Sequence, residues 1–300
     1  MQPLVTVNIL SYNRKNELKH TLQKVFTQDY NNIEVIVVDN NSIDGSAEMV
    51  KTEYPDVRLI ELQKNIGIAG WNEGAKIAKG EYLLFLDDDS YPEKRTLSSI
   101  LPICEKNKII ALDIRNPEDK SSIQHELPII PTFIGCGVII PQDVFRELNG
   151  FEPLLFLYGH EEEFSMRALQ KGYTLQFTPQ MFVFHSQSRN NRLLSKNNID
   201  KRKIYFKYRN SIVILLLHFP LYISIPRVFR LCLGRILFAI INRCLGIVLK
   251  SICDGIVVST ENWNKRTILD KDVQKIFRYG KGIGSFFGGE DTGIKRPSWI

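Results

Sequence analysis

Three adjacent carboxylates, Asp87-Asp88-Asp89, follow directly on the apolar run Tyr82-Leu-Leu-Phe-Leu86. Like charges at that spacing repel one another unless something cationic sits among them, and Mg2+ or Mn2+ held between carboxylate and diphosphate oxygens would supply the charge. A solvated acidic turn is the plainer alternative. A second acidic run, His160-Glu161-Glu162-Glu163-Phe164-Ser165-Met166-Arg167, opens a helical pattern. Carboxylates there can accept a proton from a reacting hydroxyl, or only complement the helix dipole at about 0.3–1 kcal/mol each. His185 closes the apolar segment Val183-Phe184-His185, where a metal ligand and a buried structural histidine are both open.

These residues need a scaffold, and the hydrophobic periodicity provides one. Residues 4–10 and 33–38 are short β-branched runs separated by a helical stretch from Lys15 to Gln28, which makes a βαβ unit. The alternation continues with a helix near 45–53, a strand near 57–62, a helix near 69–78 and the strand 82–86. Beyond these come a helix around 94–106, strands near 109–114 and 132–140, and a helix around 142–148. A helix at 161–171 and strand segments at 174–177 and 182–184 end the region. This order predicts an α/β fold with an open, mostly parallel sheet covered on both faces. In such a sheet ligands lie outside the carboxyl ends of the strands. Three further segments fall there: Ser11-Tyr12-Asn13-Arg14, Asp39-Asn40-Asn41-Ser42, and the helix opening Asn65-Ile-Gly67-Ile-Ala-Gly70-Trp-Asn72-Glu-Gly74. The first lacks G-x-G-x-x-G, which argues against a dinucleotide fold. Asp39 can accept from a base or ribose, or cap a loop. The glycines allow close backbone approach to a ligand or to a neighbouring strand. Ser11, Asn13, Asp39, Asn65, Gly70, Asn72, Asp87 and Asp88 stand at these strand ends as candidate ligand contacts, with Asp87, Asp89 and His185 as candidate metal ligands.

Taken together, Val-Thr-Val-Asn-Ile-Leu-Ser-Tyr-Asn, Val-Val-Asp39-Asn-Asn-Ser, Asn65-x-Gly67-x-x-Gly70-x-Asn72-x-Gly74 and Leu86-Asp87-Asp88-Asp89 resemble the family-2 glycosyltransferases of GT-A fold, nearest to their rhamnosyltransferase-like branch. The likeness runs from about residue 3 to 190. It implies an inverting transfer from a UDP- or dTDP-linked sugar, dTDP-rhamnose among them, to a glycan or lipid-linked acceptor, with Mn2+ or Mg2+ as cofactor. It implies that Asp39 contacts the base, Asp87 the ribose or metal shell, and Asp89 the metal. The family's acidic motif E-D-x-D-[LF]-x-x-R falls on His160–Arg167, in register with Arg167 and Gly172-Tyr173. Glu161 then occupies the position of the general base, His160 that of the first acid and Glu163 that of the last, leaving Glu163 as an alternative base. A non-catalytic nucleotide-sugar-binding scaffold is the first rival. The second is a sugar-phosphate nucleotidyltransferase, against which the absence of a glycine-rich basic loop after the first strand counts.

The chain's formal charge of +6 conceals a division. Arg189 to Lys250 holds thirteen Lys/Arg against the single acid Asp200, a local net of +12, so the remainder carries −6. The expected domains are a catalytic domain over 1–200, a basic amphipathic helical region over 201–260, and a tail over 261–300 with no assigned role, whose glycine-rich part from Gly280 to Gly293 reads as loop or disorder. The apolar window 211–226 is shorter than the ~20 residues of a spanning helix and contains Pro220. Residues 228–249 are interrupted by Arg230, Arg235 and Arg243. In-plane helices on an anionic membrane surface are therefore expected, with Lys201, Arg202, Lys203, Lys207, Arg209 and Arg227 facing lipid, against the alternative of an ordinary helical subdomain. Nucleic acid is not expected as a partner, because the basic residues alternate with aliphatic rather than stacking aromatic ones. Five scattered cysteines without a C-x-x-C pair indicate neither a disulfide framework nor a zinc site. With no signal-peptide pattern at the N-terminus, the expected location is the cytoplasmic face of the membrane.

Overall fold

The computed structural model describes residues 2–122, 132–186 and 200–279. The chain divides into two compact units. Of the described residues, 2–122, 132–156 and 160–186 make the first, and 157–159 with 200–279 the second. The tail reading for 280–293 lies outside the described residues.

In the first unit, β1 (Val5–Ser11) and β2 (Ile33–Asp39) run parallel in register from Val5↔Ile33 to Ser11↔Asp39. They are joined by α1 (Lys15–Val25), which lays Leu18, Leu22 and Val25 on the sheet. Next come α2 (Ser46–Glu53), β3 (Arg58–Glu61), α3 (Gly70–Ile77) and β4 (Tyr82–Asp87). β5 (Ser90–Pro92), α4 (Thr96–Ile100), β6 (Lys108–Arg115) and β7 (Val138–Pro141) follow. α5 (Gln142–Glu147), α6 (His160–Gln170) and β8 (Thr174–His185) complete the unit. The eight strands form one sheet in the order β3-β2-β1-β4-β7-β6-β8-β5. Its β3-β2-β1-β4 half is parallel, as the βαβ pattern requires. β1 lies between β2 and β4, so the chain order switches there and a crevice opens at the carboxyl ends of β1, β2 and β4.

The other half departs from the expected parallel sheet. β7 pairs antiparallel with both β4 and β6, while β8 is parallel to β6 and antiparallel to β5. The helix expected over 94–106 is only α4 followed by a 3-10 turn at Leu101–Ile103, because Pro102 has no N–H with which to continue an α-helix. The strand expected from 132 begins at Val138, after a 3-10 turn at Gly135–Gly137. The two segments expected at 174–177 and 182–184 are one strand whose register shifts opposite Leu112/Asp113, which accommodates Pro179. β5 was not foreseen.

The second unit consists of α7 (Lys201–His218), α8 (Leu221–Ile241), α9 (Leu245–Glu261) and α10 (Lys271–Tyr279). The Asp200 carboxylate accepts from Lys203 N at 3.0 Å and caps α7. Pro220 separates α7 from α8, and Arg243, at φ 52°, separates α8 from α9. Ile204, Ala239, Cys244 and Val248 form a core for these helices. Arg235 is buried in it rather than exposed, donating to Tyr208 O and Ser211 Oγ, both at 2.9 Å, with its guanidinium over the Tyr208 ring. Among the described residues no helix is long and apolar enough to cross a membrane.

Candidate active site

Asp87 is the last residue of β4, and the chain turns through Asp88 and Asp89 into β5. Ser90 Oγ accepts from Asp87 N at 2.9 Å and tightens the turn. β5 then pairs with the end of β8, Ser90 opposite His185. That short antiparallel contact brings His185 onto the acidic turn. Its Nε2 lies 3.1 Å from Asp89 Oδ1 and 4.0 Å from Asp87 Oδ2. Asp88 accepts from Tyr12 N at 3.0 Å, and Arg14 Nη1 reaches Asp88 at 3.3 Å and Asp89 at 2.5 Å.

The electrostatics follow from burial among like charges. Desolvation raises Asp88 to about 7, partly opposed by Arg14. It also raises Asp87 to about 6, with Asp89 and Glu161 adding to the rise and His185 opposing it. Asp89, although buried, is held below the ordinary carboxylate range by His185 and Arg14. His185 is held well above the ordinary imidazole value, against the effect of burial, by Cys136 and Asp89. Asp89 Oδ1 is buried, with His185 Nε2 as its close partner at 3.1 Å. One ligand atom each from Asp87, Cys136 and His185 lie within 4.8 Å of one another. Imidazole, carboxylate and thiol donors that converge in this way fit a divalent cation. Cys136 is a part of this cluster that sequence reasoning missed, since a lone cysteine outside any C-x-x-C pair carries no signal.

Beside this cluster, Ser11 and Asp39 face each other in register at the ends of β1 and β2. Ser11 Oγ and Asp39 Oδ1 are buried without a hydrogen-bond partner, while Asp39 Oδ2 accepts from Ser42 N. Unsatisfied donors and acceptors at a strand-end crevice are what a polar ligand would complete.

The other strand-end residues build loops. Asn13, at φ 53°, accepts from Ile43 N at 2.8 Å and donates its own N–H to Ser42 Oγ. Asn65 accepts from Gly67 N at 2.8 Å. Asn72 exchanges two bonds with the Phe151 backbone, at 2.8 and 2.9 Å. The glycine segment packs closely against its neighbours. A Cβ on Gly70 would stand 2.4 Å from Leu10 Cδ1, and one on Gly74 2.2 Å from Asn8 Oδ1.

The acidic helix separates its glutamates by environment. Glu163 is buried and paired with Arg167, which donates from Nε at 2.6 Å and Nη2 at 2.7 Å, and also to Leu148 O and Gly150 O. Glu161 keeps a fifth of its side chain exposed, approaches His160 Nδ1 at 3.1 Å, and lies near enough to Asp87 to raise it. His160 is buried among Trp71 and Phe151, and desolvation pushes it down to about 3, so the ring is neutral.

A half-parallel sheet with a carboxylate cluster at its switch point defines a nucleotide-sugar transferase of GT-A type. The chain matches the model of Glycosyl transferase family 2 over residues 6–158 and belongs to that family; it is a glycosyltransferase. It is 28% identical over 180 residues to the UDP-Glc:alpha-D-GlcNAc-diphosphoundecaprenol beta-1,3-glucosyltransferase WfaP of Escherichia coli, covering 56% of this chain and 71% of WfaP. An uncharacterized glycosyltransferase of Rickettsia bellii is 31% identical over 177 residues, 51% of this chain but only 26% of that protein. Among solved structures, the mannosyltransferase PcManGT of Pyrobaculum calidifontis, in complex with GDP-Man and Mn2+, superposes with TM-score 0.55 at 20% identity, over 71% of this chain and 63% of that one. S. aureus TarS superposes with TM-score 0.55 at 19% identity, over 71% of this chain and 40% of TarS. At these identities the structural likeness establishes the fold.

Proposed function

We propose that the chain transfers a hexose from a nucleoside diphosphate to a hydroxyl of a glycan or lipid-linked acceptor in one inverting displacement. The observation that carries this reading is the meeting of Asp87, Asp89 and His185 at the end of β4, with Glu161 near enough to raise Asp87, next to the unbonded Ser11 Oγ and Asp39 Oδ1. Ser11 and Asp39 bind the nucleoside. Asp87, Asp89 and His185 would hold a divalent cation, Mn2+ or Mg2+, whose charge offsets that growing on the departing diphosphate. Glu161 accepts the acceptor's hydroxyl proton as oxygen attacks the anomeric carbon from the side opposite the leaving group. Glu163, neutralised by Arg167, holds the helix in place. Asn13, Asn65 and Asn72 position the surrounding loops.

The relatives support a nucleotide-sugar donor and metal use: WfaP is named for UDP-Glc and a diphosphoundecaprenol-linked acceptor, and PcManGT was solved with GDP-Man and Mn2+. UDP-hexoses are thus the first donors to test, with dTDP-rhamnose next. In a thermal-shift screen of the full chain with Mn2+, the true donor at 100 times its Kd adds ~2.7 kcal/mol of stability and is slowly hydrolysed. If neither UDP-, dTDP- nor GDP-linked sugars stabilise or are turned over, the reading fails.

The second unit is proposed to lie in the plane of an anionic membrane at its cytoplasmic face. The support is a row of exposed apolar side chains at four-residue spacing along α8: Leu221, Ile225, Phe229, Leu233, Leu237 and Ile241. Of the basic residues expected at lipid, Lys201 and Arg202 are exposed, whereas Lys207 lies over the Tyr158 ring and Arg209 donates to Asn210.

A further inference from the structure

The cation reading leaves one donor of the cluster unused. Cys136 sits in the 3-10 turn that leads into β7, 1% exposed, with its sulfur facing the His185 imidazole and the Asp87 carboxylate across a span of at most 4.8 Å. Two donors on opposite sides of one ion, at about 2.3 Å for sulfur and 2.0–2.1 Å for nitrogen, span nearly that distance, so small side-chain rotations close the gap. Asp89 Oδ1, also buried, pairs with His185 Nε2 at 3.1 Å beside this cluster. A carboxylate, a thiol and an imidazole are therefore gathered at one spot, with Asp89 beside the imidazole, a donor set that suits Mg2+, which prefers oxygen ligands, poorly.

We propose that Cys136 is a ligand of the divalent cation at this site, so that the chain binds a thiophilic ion of the zinc or cobalt(II) class in preference to Mg2+. On binding, the thiol proton leaves to solvent as the sulfur–metal bond forms, with no change in oxidation state. The inference rests on the proposed cation site. It fixes which ions that site selects.

Cobalt(II) tests it, because thiolate ligation produces a near-ultraviolet charge-transfer band that oxygen and nitrogen ligands do not. Cobalt chloride is titrated into metal-free full-length chain, wild type and Cys136→Ser, with calorimetry in parallel for Co2+, Mn2+ and Mg2+. The expected result is a band saturating at one ion per chain in wild type and absent in Cys136→Ser. The variant should lose on the order of 10-fold or more in Co2+ affinity while its Mg2+ affinity stays put. The variant keeps the other four cysteines, so a band that survives there belongs to them and overturns the proposal. Should Cys136→Ser not fold, the wild-type spectrum alone decides: saturation with Co2+ and no charge-transfer band refutes the sulfur ligand while the cation site stands. Absence of calorimetric binding by all three ions would remove the cation site itself, and this inference with it.

Discussion

Glu161 and Glu163 are two residues apart on one helix, yet their surroundings predict opposite responses to the same change. In Glu163→Gln the carboxylate that accepts two bonds from Arg167 becomes an amide with one acceptor oxygen. Removing one partner of a buried ion pair costs ~3–5 kcal/mol. Arg167 keeps the Leu148 and Gly150 carbonyls, and about a quarter of its side chain is exposed, so the low end, about 3 kcal/mol, applies. At ~2–4 °C per kcal/mol for a unit of this size, Tm falls by roughly 6–12 °C. Below the new Tm the remaining folded enzyme should turn over at near the wild-type rate. Glu161→Gln reverses the pattern. Its partly exposed carboxylate contributes within about 0.5 kcal/mol of stability, but losing a general base costs ~100- to 10,000-fold in kcat. Calorimetric Tm and kcat from nucleotide release, measured on both variants, separate the two roles. A Glu163→Gln enzyme with wild-type Tm and abolished kcat, beside an active Glu161→Gln, would move the base to Glu163 and refute the reasoning from burial.

Stability in chelator should fall as pH rises from 5 to 8. Asp88, at about 7 when folded against about 3.8 unfolded, holds a proton that the unfolded chain releases, so its favourable contribution is complete below about 4 and is lost as pH rises through 7, at ~1.4 kcal/mol per pH unit at most. Asp87 acts in the same direction but less, since 39% of its side chain is exposed, and raised His185 acts likewise above pH 6.5. A Tm that climbs steadily over that range in EDTA contradicts this account. On anionic vesicles, Phe229→Ser and Leu233→Ser should each weaken binding by on the order of 1–2 kcal/mol at high salt, where charge attraction is screened. Flotation assays that show no change for either variant, or no vesicle binding by wild type, would return the helices to the role of a plain subdomain.

The charge arrangement explains why β5 matters although it has only three residues. The acidic turn has two internal counter-charges, and they come from opposite directions. Arg14 arrives from the turn after β1, and His185 from the far end of β8, carried there by the Ser90↔His185 pairing. Arg14 therefore stands against Asp88 and Asp89 Oδ2, leaving Asp87 and Asp89 Oδ1 on the side of His185, where Cys136 also converges. A carboxylate pair split in this way presents one face to a fixed guanidinium and the other to whatever cation binds. The sheet, rather than the acidic turn alone, sets that direction.

The parallel half of the fold was legible because β1 and β2 are buried β-branched runs each followed by a helix, and β4 is a buried apolar run, so the periods that mark them are local. Asp87, Asp89 and Glu161 could be singled out for the same reason, as carboxylates standing where such elements end or begin. The antiparallel half was not legible, since β5 and the pairings of β7 depend on partners distant in sequence, and neither Ser90-Tyr91-Pro92 nor the Gly-Cys-Gly turn has a period to read. For Asn65 and Asn72, residue type and spacing suggested ligand contact, and the structure adds a loop role for each, Asn65 Oδ1 accepting from Gly67 N and the Asn72 amide bonding the Phe151 backbone. An asparagine beside a glycine-rich turn can serve either the ligand or the loop, and only the backbone it meets decides. Glu163 makes the same point in energetic form. In sequence it is one of three equivalent glutamates, and what distinguishes it is an arginine one helical turn away, Arg167, together with the desolvation that makes their pairing strong. The i,i+4 spacing was visible in the sequence; the burial that gives it weight came from the packing of α6 against the rest of the unit.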